Sequence, residues 1–268
     1  MHVNIACMKR RTFVLGAAAG VAAPAIIGPT TAAAAPRGAT ASTATGESAK
    51  DKRGTVGLAN RASQLKTLPP QTTQVVIVGS SSYADTYATL EAYEKVRGRW
   101  WPAFAPIPAR IGSKGFSDNH TEGVPTTPTG VYSIGPTMYG IAANPGVRYP
   151  YHRLVSGDWW NENPTSPRYN TFQHTATNPG GNSEALWQEV PAYTHFAVIT
   201  YNMAPNVPTP VPYAGSGIFL HEFSRSGGNA TAGCVAVSHT HLVTVLRWLN
   251  PALSPRIVLS PYPNLSRY

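Results

Sequence analysis

The sequence has little charge and almost no cysteine. Only 12% of its 268 residues are charged. Its Lys and Arg residues form no basic stripe of the kind that a nucleic-acid site needs, so nucleic-acid binding is not expected. Neither Cys-x-x-Cys nor His-x-x-x-His occurs, which removes the commonest zinc motifs. The formal net charge of +9 favours attraction to an acidic cell wall or membrane surface instead.

The N-terminal residues have the pattern of an export signal. Lys9, Arg10 and Arg11 precede an Ala-rich apolar stretch that runs to Ala35, which is typical of a twin-arginine signal segment over residues 1–41. So much Ala, Gly and Thr makes a poor membrane span, and we expect no stable span after cleavage. Residues 42–70 are low in complexity and are predicted to be a linker, and residues 71–268 are predicted to be a folded domain outside the cytoplasm.

The folded part is predicted to be mostly β. Low charge combined with 24 Gly and 25 Pro favours many short strands over a helical bundle. One helix is expected after residue 238, because apolar residues recur there at helical spacing until Pro251, and Ser238 is placed to cap it. Strands are predicted over 74–79, 88–95, 109–112, 130–134, 196–202, 215–220 and 256–259.

One thiol remains once the signal segment is set aside. Cys7 lies within it, so the exported chain keeps only Cys234 and forms no internal disulfide. A catalytic nucleophile, an intermolecular disulfide and an inert buried cysteine are the three interpretations of such a residue. The surrounding residues favour the nucleophile.

A histidine and this cysteine flank one polar loop. An apolar run ends at His221, a loop rich in Ser, Gly and Asn follows, and the chain returns to the core at Gly233 and Cys234. A rigidly held histidine next to a thiol is the arrangement in which a base activates a nucleophile. Gly233 permits a tight turn, so that backbone amides there can hold an oxyanion.

These residues resemble the L,D-transpeptidases of peptidoglycan, the YkuD-type catalytic domain. That family's signature is a histidine on a strand, a loop, and then Ser/Thr-His-Gly-Cys followed by an apolar residue and Arg. Here His221 is followed by Thr231-Ala232-Gly233-Cys234-Val235, and the segment 127–132 is similar to the family's Thr-Pro-x-Gly-aromatic element. The resemblance covers residues 71–262. Two signature positions differ, with Ala232 in place of the histidine and Ala236 in place of the arginine.

The resemblance implies a YkuD-like β-sandwich or mixed sheet with a short helix after the cysteine. It also implies a mechanism on peptidoglycan stem peptides, in which Cys234 attacks, His221 is the base and amides around Gly233 hold the oxyanion. The resulting thioester passes to an amine, giving a cross-link, or to water, giving a trimmed stem. No metal or cofactor is required. The candidate substrate contacts are Ser224, Arg225 and Thr231, with Arg225 replacing the missing arginine as a carboxylate ligand.

Two other classes remain open. His221, Cys234, His239 and His241 could form a zinc site, although His239 and His241 are two residues apart at a helix start and so face different directions. A wall-binding module without catalysis is the other class, which the aromatic segments permit.

Overall fold

The computed structural model describes residues 60–225 and 228–268. The predicted signal segment 1–41 and the predicted linker up to residue 59 lie outside the described residues. No helix in the described ranges has the length and apolar character needed to cross a membrane.

Strands dominate the described ranges, and a single α-helix, α1 (His239–Trp248), lies near the C-terminus, so the predicted fold class is confirmed. The strands are β1 (Gln74–Ser80), β2 (Tyr87–Val96), β3 (Arg99–Pro102), β4 (Ile107–Arg110), β5 (Phe116–Ser117), β6 (Thr127–Pro128), β7 (Gly130–Gly140), β8 (Tyr151–Arg153), β9 (Asp158–Asn161), β10 (Thr171–His174), β11 (Glu184–Ala185), β12 (Phe196–Ile199), β13 (Phe219–Glu222), β14 (Val235–Val237) and β15 (Arg256–Pro261).

The main sheet is mixed and its strand path closes on itself. Its order is β1-β15-β7-β12-β13-β14-β4-β2-β3, and β2 also pairs with β1. The β1–β15 and β13–β14 pairs are parallel, whereas β12–β13 and β14–β4 are antiparallel. The strands β13 and β14 therefore have hydrogen-bonded neighbours on both sides and lie in the interior of the sheet.

Both faces of this central region are buried. On β13, Leu220 packs in a cluster that includes the buried residues of α1, and Phe219 packs on the opposite face with Trp160 and Tyr193. The same alternation holds on β1, where Val76 joins the first cluster. A strand that is covered on both faces has no polar alternation, which explains the continuous apolar run before His221.

The strand that bears the histidine begins later than predicted. We expected residues 215–220 to form it, with His221 at its end, but β13 is Phe219–Glu222 and His221 is its third residue. Gly215 and Gly217 have φ values of +104° and +62°, a left-handed backbone that cannot continue a strand. His221 is consequently held within the hydrogen-bonded ladder, opposite Ala236 of β14 and Phe196 of β12.

The helix lies where the sequence predicted it, but its cap differs. Leu242, Val245 and Leu246 of α1 are fully buried. Ser238 occupies the N-cap position, yet its hydroxyl contacts His241 Nδ1 at 2.8 Å and makes no hydrogen bond to a helix amide. The predicted side-chain cap is therefore absent, because the nearby imidazole takes the hydroxyl.

The described part of the predicted linker contacts the domain. A 3-10 helix, Arg61–Gln64, buries Ala62 completely, and the Lys66 amide donates to the carbonyl of Tyr268. Packed structure in the described chain thus begins ahead of residue 71.

Candidate active site

Strands β13 and β14 place His221 and Cys234 next to each other. The parallel register sets Leu220 beside Val235 and His221 beside Ala236, and Cys234 directly precedes β14. Successive side chains on a strand point to opposite faces. Four side chains therefore share one face: Phe219, His221, Cys234 and Ala236. On that face His221 and Cys234 are diagonal neighbours.

The Cys234 thiol is held by the backbone that leads into β13. Its side chain is 1% exposed, and its Sγ accepts a hydrogen bond from the Phe219 amide at 3.3 Å. Its S–H donates to the carbonyl of Gly217 at 3.2 Å. These contacts fix the position of the sulfur, and Cys234 lines a cleft together with Ala232 and Gly233.

His221 presents its Nε2 as a proton acceptor. Its Nδ1 lies 2.6 Å from the main-chain carbonyl of Glu222, and a carbonyl can only accept, so Nδ1 carries the proton. The lone pair of the neutral ring is then on Nε2, which is buried and has no hydrogen-bond partner in the described part of the chain. Because buried polar atoms nearly always have partners, this nitrogen is a candidate for catalytic proton transfer.

The turn before Cys234 is closed by Thr231. The Thr231 hydroxyl accepts from the Gly233 amide at 3.1 Å and donates to the Cys234 carbonyl at 2.6 Å. A Cβ at Gly233 would lie 2.9 Å from the carbonyl oxygen of Thr126, so this close approach requires glycine. Thr231, which we expected to bind substrate, is buried and has its hydroxyl engaged within the turn.

The cleft beside Cys234 is lined by two carboxyl side chains. Glu122 and Glu162 line it with His120, and no Lys or Arg belongs to its described lining. Glu122 Oε2 accepts from the hydroxyl of Ser216 at 2.7 Å. A Cβ on Gly217 would clash with the Glu162 carboxylate, which places this carboxylate next to the residue whose carbonyl accepts the Cys234 proton.

The two other predicted substrate contacts lie outside this cleft lining. Arg225 is exposed, and Ser224 donates its hydroxyl to Asn229 Oδ1 at 2.9 Å. Neither belongs to the cleft lining that includes Cys234, so the described lining contains no cation from Arg225. The arginine position of the signature, Ala236, is 1% exposed and lies beside His221.

The residues of the zinc hypothesis do not converge. His239 Nδ1 contacts Glu222 Oε2, and His241 Nδ1 contacts the hydroxyl of Ser238. Over residues 60–225 and 228–268, no three His, Cys, Asp or Glu side chains gather as a metal site would require.

His120 is a site residue that the sequence reasoning missed. It is 8% exposed, and its Nδ1 lies 2.9 Å from the hydroxyl of Thr126. Burial lowers its pKa to about 4, so the ring is neutral at neutral pH. Glu122 and Glu162 were missed as well. The one available signal was the Pro- and Gly-rich loop 121–130, which indicated rigidity but not the surface that it packs on.

His120 makes the stability of the domain depend on pH. Its pKa rises from about 4 in the folded chain to 6.5 in the unfolded chain, so between these values the unfolded chain binds more protons. The stability contribution of neutral His120 is complete above pH 6.5 and is lost as the pH falls to about 4. We expect a loss of about 2–4 kcal/mol in the free energy of unfolding, at about 1.4 kcal/mol per pKa unit.

Denaturant unfolding at pH 7.5 and pH 4 measures this loss. His120→Gln should reduce the difference in the free energy of unfolding between the two pH values by the stated amount. His241→Gln, on an exposed helix position, should leave this difference unchanged. Equal pH dependence in the parent chain and His120→Gln would contradict the prediction.

Comparison with known proteins gives a family. A family model described as the L,D-transpeptidase catalytic domain, YkuD, matches residues 71–258. No match is found among curated proteins. Among solved structures, the chain is similar to the helical cell shape determining protein Pgp2 from Campylobacter jejuni, with 15% identity and a TM-score of 0.37. That alignment covers 70% of this chain and 48% of Pgp2, so this chain spans about half the length of Pgp2.

Proposed function

Because the chain belongs to the L,D-transpeptidase catalytic domain family, YkuD, we propose that it is an exported cysteine acyltransferase of peptidoglycan stem peptides. The observation that supports this most directly is the buried, unpartnered Nε2 of His221 on the same sheet face as the Cys234 thiol. Export rests on the twin-arginine pattern at Arg10 and Arg11, which lies outside the described residues.

The proposed first half-reaction forms a thioester. The S–H of Cys234 turns from the Gly217 carbonyl towards His221, whose Nε2 takes the proton, and the sulfur attacks the carbonyl carbon that precedes the terminal D-alanine. A C–S bond forms, the C–N bond breaks, and the proton passes from His221 to the leaving amine. The Glu222 carbonyl keeps His221 in the required tautomer and stabilises the imidazolium that forms between the two proton transfers.

The second half-reaction transfers the acyl group to an acceptor. The acceptor ammonium of another stem first loses a proton to solvent, and the neutral amine then attacks the thioester carbonyl. A C–N bond forms, the C–S bond breaks, and the proton that the amine loses passes through His221 to the sulfur, which restores the thiol of Cys234. The carboxylates of Glu122 and Glu162 favour an amine over an anionic acceptor, because an incoming primary amine is a cation in solution. Cross-linking is therefore the proposed outcome, and transfer to water is the alternative.

Mass spectrometry of products tests the proposed function. The purified chain is incubated with tetrapeptide-stem muropeptides, in parallel with Cys234→Ala. A dimer formed with loss of D-alanine only when Cys234 is present supports transpeptidation, and tripeptide monomer alone means that water is the acceptor. If no product and no acyl-enzyme form, the proposed chemistry is wrong.

Glu122 gives a prediction about the acceptor. Glu122→Gln keeps the shape and the contact with Ser216 but removes the charge, and we expect KM for the amine acceptor to rise roughly tenfold, the effect of about 1.4 kcal/mol. The measurement is the rate of dimer formation against acceptor concentration. Glu94→Gln on β2, which is not part of the cleft lining, is the matched control. An unchanged KM for Glu122→Gln contradicts the assignment.

A further inference from the structure

A buried threonine connects the Gly233–Cys234 peptide to a distant segment. Thr127 is fully buried, and its Oγ1 donates to the carbonyl of Gly233 at 2.7 Å. The same oxygen accepts from the Gly112 amide at 2.9 Å. The Thr127 hydroxyl is therefore held from one side by Gly112 and holds Gly233 on the other.

The hydrogen bond to the Gly233 carbonyl also fixes the direction of the Cys234 amide. The Gly233 C=O and the Cys234 N–H belong to one planar trans peptide unit, in which the two groups point in opposite directions. Gly233 and Cys234 line the cleft, whereas Thr127 does not. The carbonyl end of this peptide is thus directed into the protein, and the opposite end carries the amide of the nucleophile.

The neighbouring polar groups of the turn are held by a different hydroxyl. Thr231 binds the Gly233 amide and the Cys234 carbonyl, which flank the peptide that Thr127 holds. Because the Gly233 amide donates to Thr231, the oxyanion is assigned to the Cys234 amide. The direction of that amide then depends on Thr127.

The anchor itself is tightly packed. A Cβ at Gly112 would lie 2.6 Å from the carbonyl of Pro125, so the two segments are in close backbone contact. Thr127 begins β6, which pairs with β5, and Gly112 also forms a bridge with Thr231. Because this support is tightly packed, the Thr127 hydroxyl stays in one position and keeps the Gly233 carbonyl in one direction. A preorganised site requires donors that are fixed in this way.

We propose that Thr127 is a positioning residue, which directs the Cys234 amide at the oxyanion through its hydrogen bond to the Gly233 carbonyl. The inference deepens the acyl-transfer function proposed above and rests on it. Thr127 is not part of the cleft lining and its hydroxyl bonds to the backbone of Gly112 and Gly233, so its removal should slow the chemical step and leave substrate binding unchanged.

The test compares variants of Thr127 in acyl-enzyme formation with tetrapeptide-stem muropeptides. Thr127→Val keeps the shape and removes the hydroxyl, and we expect kcat to fall roughly 10- to 100-fold with KM within about twofold, since loss of a whole oxyanion donor costs about 10²–10³. Thr127→Ser restores the donor and should recover kcat to within about threefold of the parent.

A matched control separates this effect from general destabilisation. Thr200 is also buried, with its hydroxyl donating to Asn206 and accepting from the Ser133 amide, and it is not part of the cleft lining. Thr200→Val should lower Tm as Thr127→Val does but keep kcat. If Thr127→Val does not fold, Thr127→Cys, with its weak S–H donor, should give an intermediate kcat.

The results distinguish failure of the Thr127 inference from failure of the proposed function. A folded Thr127→Val with the parent's kcat, a rise in KM alone, or an equal fall of kcat in Thr200→Val overturns the inference while the acyl-transfer function stands. Failure of the function itself is distinct, because the parent chain would then form no acyl-enzyme that depends on Cys234.

Discussion

Cys234→Ala should abolish acyl transfer. Removal of the sulfur takes away the proposed nucleophile, and we expect kcat to fall roughly 10⁴- to 10⁶-fold, as when a serine protease loses its catalytic serine. The measurement is product formation from tetrapeptide stems, together with the mass of the intact protein, which should show no acyl adduct.

The chain supplies a control for this experiment. Cys7 is its other cysteine, and Cys7→Ala should retain full activity because Cys7 belongs to the predicted signal segment. Cys234 is buried, so the melting temperature of Cys234→Ala must be compared with that of the parent. An adduct or a dimer that persists in folded Cys234→Ala would contradict the assignment of the nucleophile.

His221→Gln should produce the second largest loss. The variant keeps a polar side chain on β13 but lacks the basic Nε2, and we expect kcat to fall about 10²- to 10⁴-fold, the usual contribution of a general acid–base group. The loss should shrink as the pH is raised, because hydroxide then generates the thiolate without a base.

The measurement is a pH–rate profile of acyl-enzyme formation between pH 6 and pH 9.5. His241→Gln, on an exposed position of α1, is the matched histidine control and should follow the parent. A constant ratio of parent to His221→Gln rates across this range would show that His221 acts by some means other than deprotonation of the thiol.

That Cys234 and His221 lie next to each other could be predicted because one short segment carries both. The apolar run, the polar loop and Gly233-Cys234 are continuous in sequence, and the pairing of β13 with β14 brings their ends together. The start of β13 was predicted wrongly because Gly217 adopts a positive φ, which a glycine residue permits but does not require. Ser238 failed as a side-chain cap because His241 competes for its hydroxyl.

The walls of the cleft could not be predicted in the same way. Glu122 and Thr127 are about a hundred residues from Cys234 in sequence, and their approach depends on how the loop between β5 and β6 packs on the turn at Gly233. Arg225 is adjacent to the site in sequence but belongs to the exposed loop after β13. Sequence proximity was therefore a guide along the strands and not across the loops.

The closed strand path has a consequence for local opening of the backbone. Opening β13 would break its pairing with β12 and β14, and opening β14 would break its pairing with β13 and β4, whereas the strands with one neighbour, β3 and β8, lie elsewhere in the sheet. The backbone amides of β13 and β14 should then exchange with solvent deuterium only when the whole domain unfolds. Cys234 and His221 thus lie beside or within strands whose opening is expected to require unfolding of the whole domain.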